Sequence, residues 1–174
     1  MASFSGLGSY GSIANVNTLS YSSGALTTAS QTFSNTPGAA YQLAKTTSAA
    51  GATNGSAFTT QPVITIQDQD GNTVTSGTQS TQNVVITTSS GTLSGTTTVP
   101  AVAGVATFTN VALTATAGSI TLTYTISSPS SITATQSISL VAGAPTQLIV
   151  KTAAVGCNSR IACTTQPVIW IADA

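Results

Sequence analysis

The sequence contains no histidine, no glutamate and very few charges of either sign. Three basic and three acidic side chains occur in 174 residues: Lys45, Lys151, Arg160, Asp68, Asp70 and Asp173. General acid–base catalysis uses a histidine or a pair of carboxylates with shifted pKa values. Because such groups are nearly absent, we predict that the protein is not an enzyme.

The same scarcity limits the partners and cofactors that the chain can have. Its formal net charge is +0, whereas proteins that bind nucleic acid usually carry a basic patch. No apolar run reaches the ~20 residues that span a bilayer, and the start lacks the pattern of a secretory signal peptide. With no histidine, zinc would lack ligands. We expect no nucleic acid, membrane insertion, metal or cofactor.

Alternating apolar and polar residues dominate the rest of the sequence. Ile120, Leu122, Tyr124 and Ile126 alternate with threonines, which is the two-residue period of a β-strand. Similar runs predict about seven strands, at 41–46, 61–68, 82–88, 96–99, 104–111, 119–126 and 132–140. Many short strands with turn residues between them are typical of an antiparallel β-sandwich.

Two blocks of the sequence repeat at a constant spacing of 105 residues. Gly38-Ala-Ala-Tyr-Gln-Leu43 returns as Gly143-Ala-Pro-Thr-Gln-Leu148, and Thr59-Thr-Gln-Pro-Val-Ile64 returns unchanged at 164–169. A period near 100 residues is the size of a sandwich domain. We therefore divide the chain into an extended N-terminal arm (1–37), a complete unit (38–142) and the first strands of a second unit (143–174).

The two strands expected in 143–174 need a cover for their apolar face. An isolated hairpin is only marginally stable in water. We expect a continuing second unit to cover this face, because the match to the first unit keeps its register up to the last residue. Strand addition to a neighbouring subunit is the alternative.

The arm is expected to be non-repetitive, but it carries spaced aromatic residues: Phe4, Tyr10, Tyr21 and Phe33. Aromatic side chains provide a large contact area at low entropic cost. We expect these four to be assembly residues that dock on another subunit. The alternative is that they pack back on their own domain.

Three stretches of the complete unit resemble bacterial Ig-like repeats of the Big type. They are Gly-Ser-Ala-Phe-Thr-Thr-Gln-Pro-Val-Ile-Thr-Ile-Gln-Asp-Gln-Asp-Gly-Asn (55–72), Gly-Thr-Leu-Ser-Gly-Thr-Thr-Thr-Val (91–99) and Gly-Val-Ala-Thr-Phe-Thr-Asn-Val (104–111). The resemblance covers 38–142 completely and 143–174 in part. It implies an all-β fold with an Ig-like seven-stranded antiparallel sandwich. Such repeats occur in tandem in bacterial surface proteins and adhesins, and in phage fibres and decoration proteins.

Three further features each allow two interpretations. Asp68-Gln-Asp70-Gly-Asn72 is either a hairpin turn or a weak cation site, although it departs from the EF-hand pattern. Cys157 and Cys163 are six residues apart and form either a disulfide or two free thiols. Asn54-Gly-Ser56 fits the N-glycosylation pattern, which occurs often by chance in such a chain.

Trp170 is expected at an interface. The 105-residue spacing aligns it with Thr65, between Ile169 and Ile171, which align with Ile64 and Ile66. If the isoleucines face the core, then Thr65 and Trp170 face outward. An outward tryptophan often marks a contact surface, and the alternative is local burial within its own unit.

These observations predict a non-enzymatic structural or display subunit. The leading interpretation is a protein of the virion surface, a phage capsid or tail decoration or fibre, anchored by its arm. Its partners would be other copies of itself and a capsid, tail or filament scaffold protein, with a cell-surface glycan or receptor as a further candidate. The alternative is a bacterial cell-surface adhesin or extracellular filament subunit. A carbohydrate-binding module would need exposed aromatics on one sheet.

Overall fold

A computed structural model of the chain describes residues 1–9, 11, 16–128 and 130–173. Its described part is nearly all β, with fourteen strands and one short 3-10 helix at Thr78–Thr81. No helix among the described residues is long and apolar enough to cross a membrane. The all-β prediction is confirmed.

The strands fall into three groups along the chain. The arm contains β1 (Val16–Tyr21) and β2 (Ala29–Ser34). The complete unit contains β3 (Gln42–Thr47), β4 (Ala52–Thr53), β5 (Val63–Gln67), β6 (Asn83–Thr88), β7 (Thr92–Ser94), β8 (Thr98–Pro100), β9 (Val105–Thr107), β10 (Ala112–Thr114), β11 (Gly118–Ile126) and β12 (Ile132–Val141). The last part contains β13 (Gln147–Thr152) and β14 (Val168–Ala172).

Two sheets build the complete unit. A three-stranded sheet has the order β3-β5-β9, and a five-stranded sheet has the order β4-β12-β11-β6-β8. The short strands β7 and β10 form a separate pair, as do β1 with β2 and β13 with β14. Every pairing is antiparallel except that of β4 with β12, which is parallel.

All seven predicted strands are present, and the unit has three more. β4, β7 and β10 each have only two or three residues. A period of two cannot be recognised over so few residues, because it needs about four to eight. Their pairing depends on tertiary neighbours instead.

The core lies between the two sheets. Ile64 and Ile66 of β5 are fully buried, as are Leu122 and Tyr124 of β11. The alternation in β11 places its apolar side chains on the core face and its threonines on the other. Burying a large apolar side chain stabilises a fold by about 1.5–3 kcal/mol, so this face fixes the register of the strand.

Strands β3 and β4 run the length of the unit and change sheets on the way. β3 pairs with β5, and β4 pairs with the end of β12. Gly38 and Asp68 therefore lie at one end of the unit, the Gly38 end, and Asn54 lies at the other, the Asn54 end.

A glutamine joins the five-stranded sheet to the segment between β3 and β4. Gln136 of β12 accepts a hydrogen bond from the amide of Ala49 at 3.0 Å and donates to the carbonyl of Ala49. The hydroxyl of Tyr124 donates to the same side-chain oxygen at 3.2 Å. Burial raises the pKa of Tyr124 to about 12.

Candidate assembly site

The arm is not simply extended, since β1 and β2 form an antiparallel hairpin. Sequence analysis did not predict it. Phe4 packs on Tyr21 of β1 with ring centroids 5.6 Å apart. Phe33 of β2 lines an open cleft of about 620 Å³ between the arm and the Asp68 turn. Tyr10 lies outside the described residues.

The arm contacts its own unit at the Gly38 end. The amide of Gly11 donates to Asp70 Oδ2 at 3.1 Å, and Asn72 Nδ2 donates to the carbonyl of Gly11 at 3.1 Å. These contacts favour the interpretation in which the arm packs on its own domain. Phe4 nevertheless remains exposed, so only part of the aromatic surface of the arm is buried by these contacts.

The Asp68–Asn72 segment forms a turn, which is the first of the two interpretations that its sequence allows. Asp68 is buried and accepts hydrogen bonds from the amides of Gly38, Asp70 and Asn72 at 2.9, 3.0 and 2.8 Å. Gly71 has φ of 83°, a conformation that glycine adopts without strain. Burial would raise the pKa of Asp68, but the hydrogen bonds from the Asn72 side chain and these amides hold it below its ordinary value.

The arm hairpin repeats the closing hairpin of the complete unit. Thr18-Leu-Ser-Tyr21 matches Thr121-Leu-Thr-Tyr124, and Ala29-Ser-Gln31 matches Ala134-Thr-Gln136. The pairing agrees with the match, since Leu19 pairs with Gln31 as Leu122 pairs with Gln136. No single spacing shows this match in the sequence, because β1 is offset by 103 residues from β11, whereas β2 is offset by 105 from β12.

The second unit meets the first at the Asn54 end. The amide of Gly143 donates to Asp173, and Asn54 Nδ2 donates to Asp173 Oδ2 at 2.9 Å. Asn54 Oδ1 also accepts from the amide of Ala115 at 3.0 Å. The bond from Gly143, and then that from Asn54, lower the pKa of Asp173.

The Gly143–Asp173 contact repeats the one at the Gly38 end. Gly38 and Asp68 form the same amide-to-carboxylate bond 105 residues earlier. The sequence repeat is therefore also a repeat of hydrogen bonds. Asn54 adds a bond from the preceding unit, which makes this contact a junction between units.

Trp170 is 53% exposed and pairs with Ile149. The ammonium of Lys151 lies 4.4 Å from the ring centroid, within the range of a cation–π interaction. Its counterpart Thr65, expected to face outward, is only 3% exposed, because β5 lies between β3 and β9 and Thr65 bonds Thr46 across the sheet. Trp170 is therefore exposed at a position that is buried in the complete unit.

Cys157 and Cys163 are joined in a disulfide. They occupy the positions of Ala52 and Phe58, which are both buried in the complete unit. The disulfide therefore stands where the complete unit has two buried apolar side chains. Free cysteines are absent from the described residues.

Within the part of the chain that the structure describes, no group of three His, Cys, Asp or Glu side chains could hold a metal ion. The amide of Asn54, the glycosylation candidate, takes part in the junction between units. Of the aromatics in the complete unit, Phe58, Phe108 and Tyr124 are buried and Tyr41 is exposed.

The chain matches no protein-family model, no curated protein and no solved structure. Its function is therefore inferred from the geometry of the described residues.

Proposed function

We propose that the protein is a non-enzymatic structural subunit that displays Ig-like units in series. The junction between units carries this proposal. Asn54 of the complete unit bonds Asp173 of the next unit. The glycine–aspartate bond that holds Asp173 recurs at the start of the complete unit, between Gly38 and Asp68. A bonding pattern that recurs at the start of each unit suits a serial, rod-like spacer.

The order of the strands supports an Ig-like sandwich for 38–142. In that arrangement the first strand divides between two sheets, as β3 and β4 do here. The five-stranded sheet would then hold the closing hairpin in its middle. This topology favours a display scaffold, although a fold alone does not specify its use.

The leading location is the surface of a phage particle, with the protein as a capsid or tail decoration or fibre. Its partners would be further copies and a capsid or tail scaffold protein. The sparse charge supports an assembled state, because net charge normally keeps free proteins apart. A bacterial adhesin or extracellular filament subunit is the second candidate, since serial units serve equally well there.

Antibodies against the 174-residue chain would test the proposal by immunogold labelling of a culture that produces it. Gold on phage particles is the expected result, whereas gold on the cell envelope would favour the adhesin or filament. Serum preabsorbed with the purified protein is the control. Confinement of the label to the cell interior after lysis and particle release would contradict both candidates.

A further inference from the structure

The hairpins at the two ends of the chain expose faces that correspond to two faces packed together inside the complete unit. The β13–β14 hairpin corresponds to β3 and β5, and the β1–β2 hairpin corresponds to β11 and β12. The complete unit therefore shows how the two hairpins would fit each other.

The face of β13–β14 is bare among the described residues. Leu148 and Ile171 are 71% and 72% exposed, whereas their counterparts Leu43 and Ile66 are 9% and 0% exposed. Leu148 pairs with Ile171 as Leu43 pairs with Ile66. Both hairpins also carry a register shift at the same place, after Lys45 and after Val150. The exposed face of β13–β14 therefore corresponds to a face that the second sheet buries in the complete unit.

The face of β1–β2 is only partly covered. Leu19, Tyr21 and Phe33 are half-buried, and they correspond to Leu122, Tyr124 and Ile138, which are buried in the core. Phe4 rests on Tyr21 but stays exposed itself. Its ring enlarges the apolar surface.

In the complete unit, hydrogen bonds also join β12 to the segment that follows β3. Gln136 bonds the amide and the carbonyl of Ala49. Gln31 stands at the position of Gln136, and Ala154 stands at the position of Ala49. The same pair of bonds is therefore available between the two hairpins.

One copy cannot bring its own hairpins together. The arm contacts Asp70 and Asn72 at the Gly38 end, and Asp173 contacts Asn54 at the opposite end.

The two hairpin faces carry no like charges. Residues 1–37 contain no charged side chain, and Lys151 lies over Trp170 on the other face of its hairpin. Charge repulsion does not oppose contact between two copies.

We propose that the chain associates head to tail, with β1–β2 of one copy packed on β13–β14 of a second copy. The contact reproduces the packing of β11–β12 on β3–β5, and it deepens the proposed structural role, on which it rests. Because the two faces differ, the contact is heterologous, and successive copies extend into an open chain.

Two face-blocking variants of the full chain would test the proposal. Leu19→Asp places a charge on the β1–β2 face, and Ile171→Asp places one on the β13–β14 face. Neither position belongs to the core of the complete unit, so the unit should stay folded. In sedimentation velocity the wild type should form species larger than a dimer as concentration rises, and each variant alone should stay monomeric.

An equimolar mixture of the two variants gives the decisive result. One intact face of each kind remains, so the mixture should form heterodimers and nothing larger. Thr18→Asp and Ile149→Asp, on the opposite faces of the hairpins, are the matched controls and should associate like the wild type. Self-association of either blocked variant, or a mixture that stays monomeric, would overturn the proposal.

Gln31→Ala tests the register of the contact. It removes the two bonds to Ala154 and should weaken association about tenfold, with unchanged thermal unfolding of the complete unit. Unchanged association would refute this packing. A monomeric wild type would refute the whole inference but leave the display role standing, because immunogold labelling tests that role independently.

Discussion

Asn54 of the first unit donates its side-chain amide to the carboxylate of Asp173 in the second unit at 2.9 Å. The same Asn54 side chain accepts from the amide of Ala115, so it is anchored in the first unit while it bonds the second. A side chain held on both sides restricts the angle between units more than a flexible linker does. The junction is thus a defined contact.

Asn54→Ala should raise the pKa of Asp173. The variant removes one of the three hydrogen bonds that lower this pKa, and the bond from Gly143, which lowers it most, remains. The pKa should therefore move toward, but not reach, its ordinary value. The carboxyl carbon of Asp173, followed by NMR as a function of pH, measures the change.

Asn83→Ala is the control for that titration, since Asn83 is an exposed asparagine in β6. It should leave the midpoint of Asp173 in place. An equal midpoint in the wild type and in Asn54→Ala would show that the junction bond does not persist in solution.

Asp68→Asn should reduce the loss of folding stability that accompanies a fall in pH. The pKa of Asp68 is lower in the folded chain than in the unfolded chain, so the unfolded state binds the proton first. This stabilisation is present above the unfolded value, about pH 4, and is lost as pH falls through the folded value. Urea unfolding between neutral and acid pH measures it.

Asp70→Asn is the matched control, because Asp70 lies in the same turn but is exposed. It should keep the acid dependence of the wild type.

Asp68→Ala should also lower the free energy of unfolding by about 2 kcal/mol at neutral pH, since several backbone amides lose their acceptor. An acid profile that Asp68→Asn leaves unchanged would rule out this role for the carboxylate.

The sequence predicted the parts of the fold that depend on local pattern. β11 and β12 have long apolar alternation, and their positions follow from it. The 105-residue repeat predicted where β13 and β14 lie. These features need no knowledge of tertiary neighbours.

Tertiary context explains what the sequence did not predict. Thr65 is buried because its strand is central in a sheet, which its alternation with Ile64 and Ile66 cannot show. The arm hairpin was missed because the connection between its matched positions is two residues shorter than that between β11 and β12, which breaks the constant spacing: Tyr21 pairs with Ala29, whereas Tyr124 pairs with Ala134. The contact of Asn54 with Asp173 joins residues 119 positions apart, and no local pattern indicates it.

Thiol titration should find no reactive thiol in the denatured, non-reduced protein. Cys157 and Cys163 are bonded in the structure, and a bonded pair does not react with a thiol reagent. After reduction, two thiols per chain should appear. The double variant Cys157→Ala with Cys163→Phe restores the residues of the first unit and should give none in either condition. Two thiols without reduction would show that the pair is reduced.

Tyr124→Phe should reduce the loss of folding stability at alkaline pH. Burial raises the pKa of Tyr124 to about 12 in the folded chain, whereas an unfolded tyrosine ionises near about pH 10. The neutral hydroxyl therefore stabilises the fold fully below about pH 10, and this contribution of about 2 to 3 kcal/mol is lost as pH rises toward the folded value. Urea unfolding from neutral to alkaline pH should show the decline in the wild type but much less of it in Tyr124→Phe.

At neutral pH the same variant should lower the free energy of unfolding by only about 1 kcal/mol, because Gln136 keeps its bonds to Ala49. Tyr41→Phe removes a hydroxyl from an exposed ring and should retain the decline. If Tyr124→Phe declines as steeply as Tyr41→Phe, a group other than the buried tyrosine limits stability in base.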